Sequence, residues 1–224
     1  MMEEKLALSL FDLRHSLCAP FLEALYYPWE LLGDTAQLLF GISACLPADF
    51  KEIAPGVWVG GGTTIAATAL VQGPAIIGRN CQIRHGAFIR EFVLIGDGAV
   101  IGNSTEVKNA VLFDGVQAPH FNYIGDTILG YKAHLGAGAI VSNFKAAGDE
   151  IWATLPDGKR QNTGRNKFGA LIGDHVEIGC NAVVFPGTII GKEAVIYPLC
   201  PVRGYIPSGQ ILKNDGCLYP RSME

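Results

Sequence analysis

Large apolar residues recur at every sixth position through the middle of the chain. Counted from Ile53, the column runs Ile53, Val59, Ile65, Val71, Ile77, Ile83, Ile89, Ile95, Ile101, Val107, Phe113 and Pro119, large and apolar at every place but the last. Four positions further on lies a companion column of mostly small or β-branched residues, from Val57, Thr63, Ala69 and Ala75 to Val111 and Gln117. The period returns in Ile172, Ile178, Val184, Ile190, Ile196 and Val202. One inward apolar residue per short strand, followed by turn-tolerant residues as in "IGDGAV", "IGNSTE" and "IGKEAV", predicts a parallel β-helix solenoid. A β-sandwich would alternate apolar and polar residues, with turn signals about every 8–12 positions, and fits less well. Three hexads close one triangular coil, so residues eighteen apart should stack about 4.8 Å from each other. The period itself does not give the hand of the winding.

Residues 1–52 follow no hexad. Leu and Ala recur there at helical spacings, Pro20 and Pro28 stand where helices open, and Asp34 or Thr35 can cap one. Two or three short helices are expected, covering the first coil, because a solenoid's terminal strands are open edges. The expected organisation is a helical cap over 1–52, a β-helix over 53–207 with an inserted loop at 145–168, and a C-terminal tail over 208–224. Within the insertion, "IWATLPDGKRQN" predicts a hairpin around Asp157 and Gly158. The insertion also carries Lys159, Arg160, Arg165 and Lys167, and excursions from repeats tend to sit on binding faces.

Composition adds little to the fold but narrows the function. With 49% apolar and 17% charged residues the chain reads as a soluble globular protein, and 28 glycines against 9% aromatics favour many tight turns. Six cysteines without paired spacing, and no charged, apolar and small-residue leader, point to a reducing cytoplasmic setting. The apolar run from Leu31 to Leu46 is too short to span a bilayer and contains Asp34 and Gln37. Net charge is −4, yet residues 79–167 hold ten bases against eight acids, whereas residues 1–52 hold three against eight. Without a Lys/Arg run or interleaved aromatics this excludes nucleic acid and suits a small anionic ligand.

Arg90 and Lys108 lie eighteen residues apart and should share one corner of the coil. Two cations about 5 Å apart repel by roughly 1 kcal/mol even in water, and an anion held between them would offset this. The alternative is that both side chains splay into solvent beside Glu91 and Glu106. His120 follows Lys108 by twelve residues and belongs to the neighbouring corner. There the period slips: one residue is missing between Pro119 and Ile124 and another between Ile124 and Leu129, so tighter turns are expected to aim a side chain. An imidazole titrates near working pH and suits a general base. His15, His85, His134 and His175 read as surface or packing residues. A three-histidine zinc site is not expected, since His85 and His120 supply two ligands and Gly125 stands where the third would be.

"IGNSTEVKNAVL", "HFNYIGD", "LGAGAIVSNF" and "NKFGALIGDHVEIGCNAVVFPGTIIG" together resemble the acetyltransferase domain of the bifunctional N-acetylglucosamine-1-phosphate uridylyltransferase/glucosamine-1-phosphate acetyltransferase family. The similarity covers about residues 80–207, and the insertion is closer to the archaeal members. The resemblance implies a left-handed β-helix, a homotrimer with active sites at subunit boundaries, acetyl-CoA as co-substrate and a role in UDP-N-acetylglucosamine biosynthesis. It also implies His120 as general base with Tyr123 as its companion, Asn143 as the substrate-orienting residue, Lys167 as a sugar contact, and Arg90 and Lys108 as phosphate contacts. Ala137 falls in the family's oxyanion region. Cys180 stands where bacterial members have a serine near the CoA sulfur, and Tyr197 and Pro198 replace small residues lining the CoA site. The expected activity is acetyl transfer from acetyl-CoA to an amino-sugar 1-phosphate. The alternative is a non-catalytic trimeric β-helix that binds nucleotide sugars or supports a separate nucleotidyltransferase. No glycine-rich nucleotide loop appears in the first 52 residues, so the chain is not expected to form a UDP-sugar by itself.

Overall fold

In the computed structural model, which describes residues 5–221, the hexads wind into a left-handed parallel β-helix of short strands. Its three faces follow from register. Val57, Ala75 and Val93 stack on one face, Thr64, Gln82 and Val100 on the second, and Leu70, Phe88 and Glu106 on the third. The inward column (Ile77, Ile83, Ile89, Ile95, Ile101, Val107) is buried at 1% exposure or less, with Ala87 and Ala99 filling the space between. Corners turn through residues in the left-handed region, such as Asn80, Ser104 and Phe92, each three positions after an inward residue. That conformation is accessible to Asn, whose short polar side chain bonds locally.

The first slip lies upstream of where the hexad count puts it. From Val107 the inward column continues through Leu112, Ala118, Ile124, Leu129, Leu135 and Val141, so the missing residues fall between Val107 and Leu112 and between Ile124 and Leu129. Phe113 and Pro119 are therefore not inward residues. Phe113 instead faces the helices, its ring 5.2 Å from that of Phe11. Both slips occur at the same corner, between the third face and the first. Where Phe92 follows Ile89 by three, the left-handed residue comes one place early, at Asn109 after Val107 and at Asp126 after Ile124. The next coil holds the insertion at this same corner: Ile128 pairs with Leu171 across it.

Each face meets a different environment. The first is apolar outward as well as inward: Ile76, Leu94, Val111, Ile128, Leu171 and Ile189 are all fully buried beneath the N-terminal segment and the insertion. Each such residue contributes about 1.5–3 kcal/mol of burial. Helices α1 (Leu6–Leu10), α2 (Ala19–Ala24) and α3 (Thr35–Ser43) and the 3-10 turns Leu13–His15 and Pro28–Gly33 run along this side. Pro opens α2 and the second 3-10 turn, and the Asp34 carboxylate accepts from the Gln37 N–H to cap α3. The helices thus lie along the solenoid's flank, not over its first coil as the sequence suggests, because six coils present an unbroken apolar surface there. The second face carries Thr64, Gln82, Val100, Gln117, His134, Glu177 and Val195 outward and is mostly polar. The third carries Leu70, Phe88, Glu106, Tyr123, Ile140, Val183 and Pro201 outward and is not covered by any described segment; Leu70 is 54% exposed.

Reversed strands occupy one face at each end. Lys51–Ala54 runs antiparallel to Val57–Val59, and Leu218–Pro220 runs antiparallel to Gln210–Leu212. Gln210–Leu212 still stacks in parallel on Val195–Ile196, so the solenoid extends past residue 207 and the tail begins later than expected. The insertion forms the hairpin Trp152–Thr154 with Arg160–Asn162, Thr154 opposite Arg160. All six cysteines are free, and no described helix is long and apolar enough to cross a membrane.

Candidate active site at two corners of the uncovered face

Register sorts the candidate residues into two columns along opposite edges of the third face. At the edge shared with the first face, Lys108 follows Arg90 by one coil, since Val107 pairs with Ile89. Gly125 follows Lys108, and Asn143 comes two residues after Val141, the partner of Ile124. Lys167 returns the insertion to this edge, where it forms an isolated bridge with Phe144, and its own side chain is exposed. At the other edge, His120 follows Asn103, and the strand register carries the column on through Ala137 and Cys180. The Gly138 N–H donates to the His120 carbonyl at 3.0 Å, and the Asn181 N–H donates to that of Ala137 at 2.9 Å. His120 and Cys180 are exposed, and Tyr197 is 40% exposed beside Gly179.

His120 and Tyr123 therefore diverge despite their closeness in sequence. The Tyr123 side chain crosses the outward surface towards the Lys108 edge, where its hydroxyl donates to Asn143 Oδ1 at 3.4 Å. Glycine at 125 makes room for this: a Cβ there would lie 2.7 Å from both the Tyr123 hydroxyl and Asn143 Nδ2. Burial pushes the Tyr123 phenol above its ordinary value, reinforced by the nearby Glu106 and Asp126 carboxylates.

The two stacked cations differ in their partners. Arg90 Nη1 bonds Glu106 Oε1 at 3.1 Å and Nη2 lies 3.6 Å from Glu91 Oε1, so Arg90 is held by the carboxylates beside it, with Glu106 the larger influence keeping it protonated. Lys108 has no ion pair among the described residues. It lines a cavity of about 340 Å³ together with Asn109, Arg165, Glu91 and the segment 32–36.

Three residues at this edge escape a reading based on the period. Asp126 is 3% exposed and accepts from Asn109 Nδ2 at 2.7 Å and from Asn143 Nδ2. Arg165 Nη2 donates to the Leu32 carbonyl at 2.9 Å and lies 3.8 Å from Asp126 Oδ1, and burial lowers its proton affinity. The usable signal was that each slip carries Asn or Asp, residues suited to a left-handed turn. No cluster of three or more metal-ligating side chains occurs among the described residues.

Residues 71–154 match the family described as the GMPPB C-terminal domain. A bifunctional sugar-1-phosphate nucleotidylyltransferase/acetyltransferase from Sulfurisphaera tokodaii is 34% identical over 161 residues, 64% of this chain and 40% of that protein. A bifunctional GlmU protein from Methanococcus aeolicus is 28% identical over 182 residues, 80% of this chain and 44% of that protein. The chain is a homologue of part of these bifunctional proteins. It spans less than half the length of either. Among solved structures, an N-acyltransferase from Bacillus cereus in complex with dTDP-4-amino-4,6-dideoxyglucose and coenzyme A is 18% identical, with a TM-score of 0.45, over 73% of this chain and 84% of that one.

Proposed function

We propose that the chain is an acetyl-CoA-dependent N-acetyltransferase acting on an amino-sugar 1-phosphate such as glucosamine 1-phosphate. The reading rests on one arrangement: a column of cationic and amide side chains on one edge of the uncovered face, and an exposed imidazole with Ala137 and Cys180 in line on the opposite edge. Homology to a protein whose name joins a sugar-1-phosphate nucleotidylyltransferase with an acetyltransferase supports it.

In this reaction the acceptor's phosphate docks on Lys108 and Arg90, and Asn143, Tyr123 and Lys167 orient the sugar. His120 Nε2 or Nδ1 takes a proton from the amine as its nitrogen attacks the thioester carbonyl. The Ala137 backbone N–H, flanked by Gly136 and Gly138 N–H groups that are already bonded to the Ile178 and His120 carbonyls, stabilises the oxyanion, whose collapse breaks the C–S bond, so CoA leaves as its thiol after taking up the proton. Cys180 and Tyr197 border the donor's path.

Within one chain the two columns stand at opposite ends of the strands of the third face, which run about 10 Å for three residues. The mostly apolar third face suits packing against further copies, and a homotrimer would join the His120 edge of one copy to the Lys108 edge of the next. Free cysteines agree with a cytoplasmic setting.

The deciding experiment is release of free thiol from acetyl-CoA against a panel of amino-sugar phosphates and their phosphate-free counterparts. Turnover with a phosphorylated amine supports the reading. Tight binding of nucleotide sugars without thiol release would support the non-catalytic alternative.

A further inference from the structure

We infer that Asp126 is a positioning residue, which sets the direction of the Asn143 amide and shares this task, through Asn109, with the N-terminal segment at residues 32–35. The inference rests on the acyl-transfer reading, in which Asn143 contacts the acceptor.

The argument begins with the two shortened corners. Losing one residue each, they turn through Asn109 (φ 44°) and Asp126 (φ 47°) and align both side chains on the corner that holds Asn143. The result is a ladder seventeen residues per rung: Asn109, Asp126, Asn143. Asp126 is its middle member, buried, with one carboxylate oxygen for each neighbour: Oδ1 accepts from Asn109 and Oδ2 from Asn143. A carboxylate can only accept, so each facing amide must turn its NH₂ towards it. For Asn143 this leaves Oδ1 pointing the other way, at the Tyr123 hydroxyl. An amide in isolation has two nearly isosteric orientations, and the carboxylate removes one of them.

The other end of the ladder is anchored outside the solenoid. Asn109 Oδ1 accepts from the Thr35 hydroxyl at 2.8 Å, while Nδ2 also reaches the Leu32 carbonyl at 3.2 Å. Arg165 binds that same carbonyl and supplies the positive charge nearest to Asp126. A charge so deeply buried is costly unless hydrogen-bonded, and the two amides and the guanidinium offset that cost. Burying a carboxylate behind an amide would be a poor choice for stability alone, but it gives that amide a single direction.

The test is a double-variant cycle on kcat/KM for acetyl transfer to glucosamine 1-phosphate, with melting temperatures measured in parallel. Asp126→Asn preserves shape but sets one NH₂ against a facing NH₂. The expected result is a loss of about 10-fold or more in the Asn143 background and little further loss when Asn143→Ala is already present. An equal loss in both backgrounds means Asp126 only supports the fold, and overturns the inference. Should Asp126→Asn fail to fold, Asn109→Ala is measured in the same two backgrounds. A loss of about 3-fold or more confined to the Asn143 background supports the coupling, whereas no loss or an equal loss overturns it. If the unaltered protein releases no thiol with any amino-sugar phosphate, the acyl-transfer reading fails first and takes this inference with it.

Discussion

Glu106 holds Arg90, its Oε1 3.1 Å from the guanidinium Nη1, while Lys108 one coil further on has no carboxylate partner among the described residues. An incoming phosphate must compete for one cation and finds the other unpaired. Glu106→Gln should therefore lower KM for the phosphorylated acceptor by about 2- to 5-fold at low ionic strength. Both groups are about one-third exposed, so the gain should narrow as salt shortens the screening length to roughly 8 Å. A KM indifferent to this substitution at every salt concentration would detach Arg90 from the phosphate.

Lys108→Ala should raise KM for the phosphorylated acceptor and leave transfer to a phosphate-free amine nearly unchanged. Steady-state kinetics on the matched pair of acceptors reads this directly. Equal losses on both would argue against a phosphate contact.

His120→Ala should slow acetyl transfer by roughly 10²–10⁴-fold. Because the side chain is exposed, the melting temperature and the sedimentation behaviour should stay as they are. Full turnover in the variant would remove the imidazole from the mechanism.

Tyr123 offers a pH-dependent readout. Burial favours its neutral phenol in the folded protein, so its contribution to stability is complete below the ordinary tyrosine value of about 10 and declines as pH rises through the raised value. The ultraviolet titration difference between the unaltered protein and Tyr123→Phe should isolate a late-ionising tyrosine, above about pH 10. A step at or below the ordinary value would contradict the packing described for this ring.

Gly102→Ala tests the close spacing of the coils. A Cβ at 102 would lie 1.6 Å from the Pro119 carbonyl oxygen, an overlap only backbone movement can relieve. We expect a severe loss of soluble, folded protein, visible as a lowered melting temperature or inclusion bodies. Wild-type stability in this variant would mean that the coils at 102 and 119 are not stacked as described.

Much of the solenoid could be read from the chain because its core uses one large residue per strand, a pattern that survives without knowledge of tertiary contacts. Ile89 and Val107 were placed correctly on that basis, and with them the adjacency of Arg90 and Lys108. The period failed at Phe113, an apolar place that continued the count by chance, and at Pro119, the one place that broke the apolar column, while the true inward residues were Leu112 and Ala118. Such an error is physical in origin: Phe113 is apolar because helices cover it from outside, so hydrophobicity alone could not tell its two sides apart.

The same ambiguity hid the path of the N-terminal helices. Ile76, Leu94 and Val111 sit directly before inward residues, and a double-sided apolar strand is the mark of a face buried from both sides. Read that way, the doublets predict a covering along the flank. The side-chain ladder at Asp126 was harder to foresee, since it depends on which corner each slip shortens and on contacts to Leu32 and Thr35 far away in sequence.

The backward-running strands at either extremity have a consequence for assembly. A stack of parallel rungs is a natural seed for endless filaments, because the last rung offers the next molecule the same ladder that the first rung accepted. Here Lys51–Ala54 blocks one side of the triangle at the start and Leu218–Pro220 blocks another at the finish, so a neighbour arriving end-on would find the pairing reversed. On those two sides a parallel ladder has no strand of the right direction to continue from, so end-on stacking loses part of its template and contact along the flanks gains by comparison.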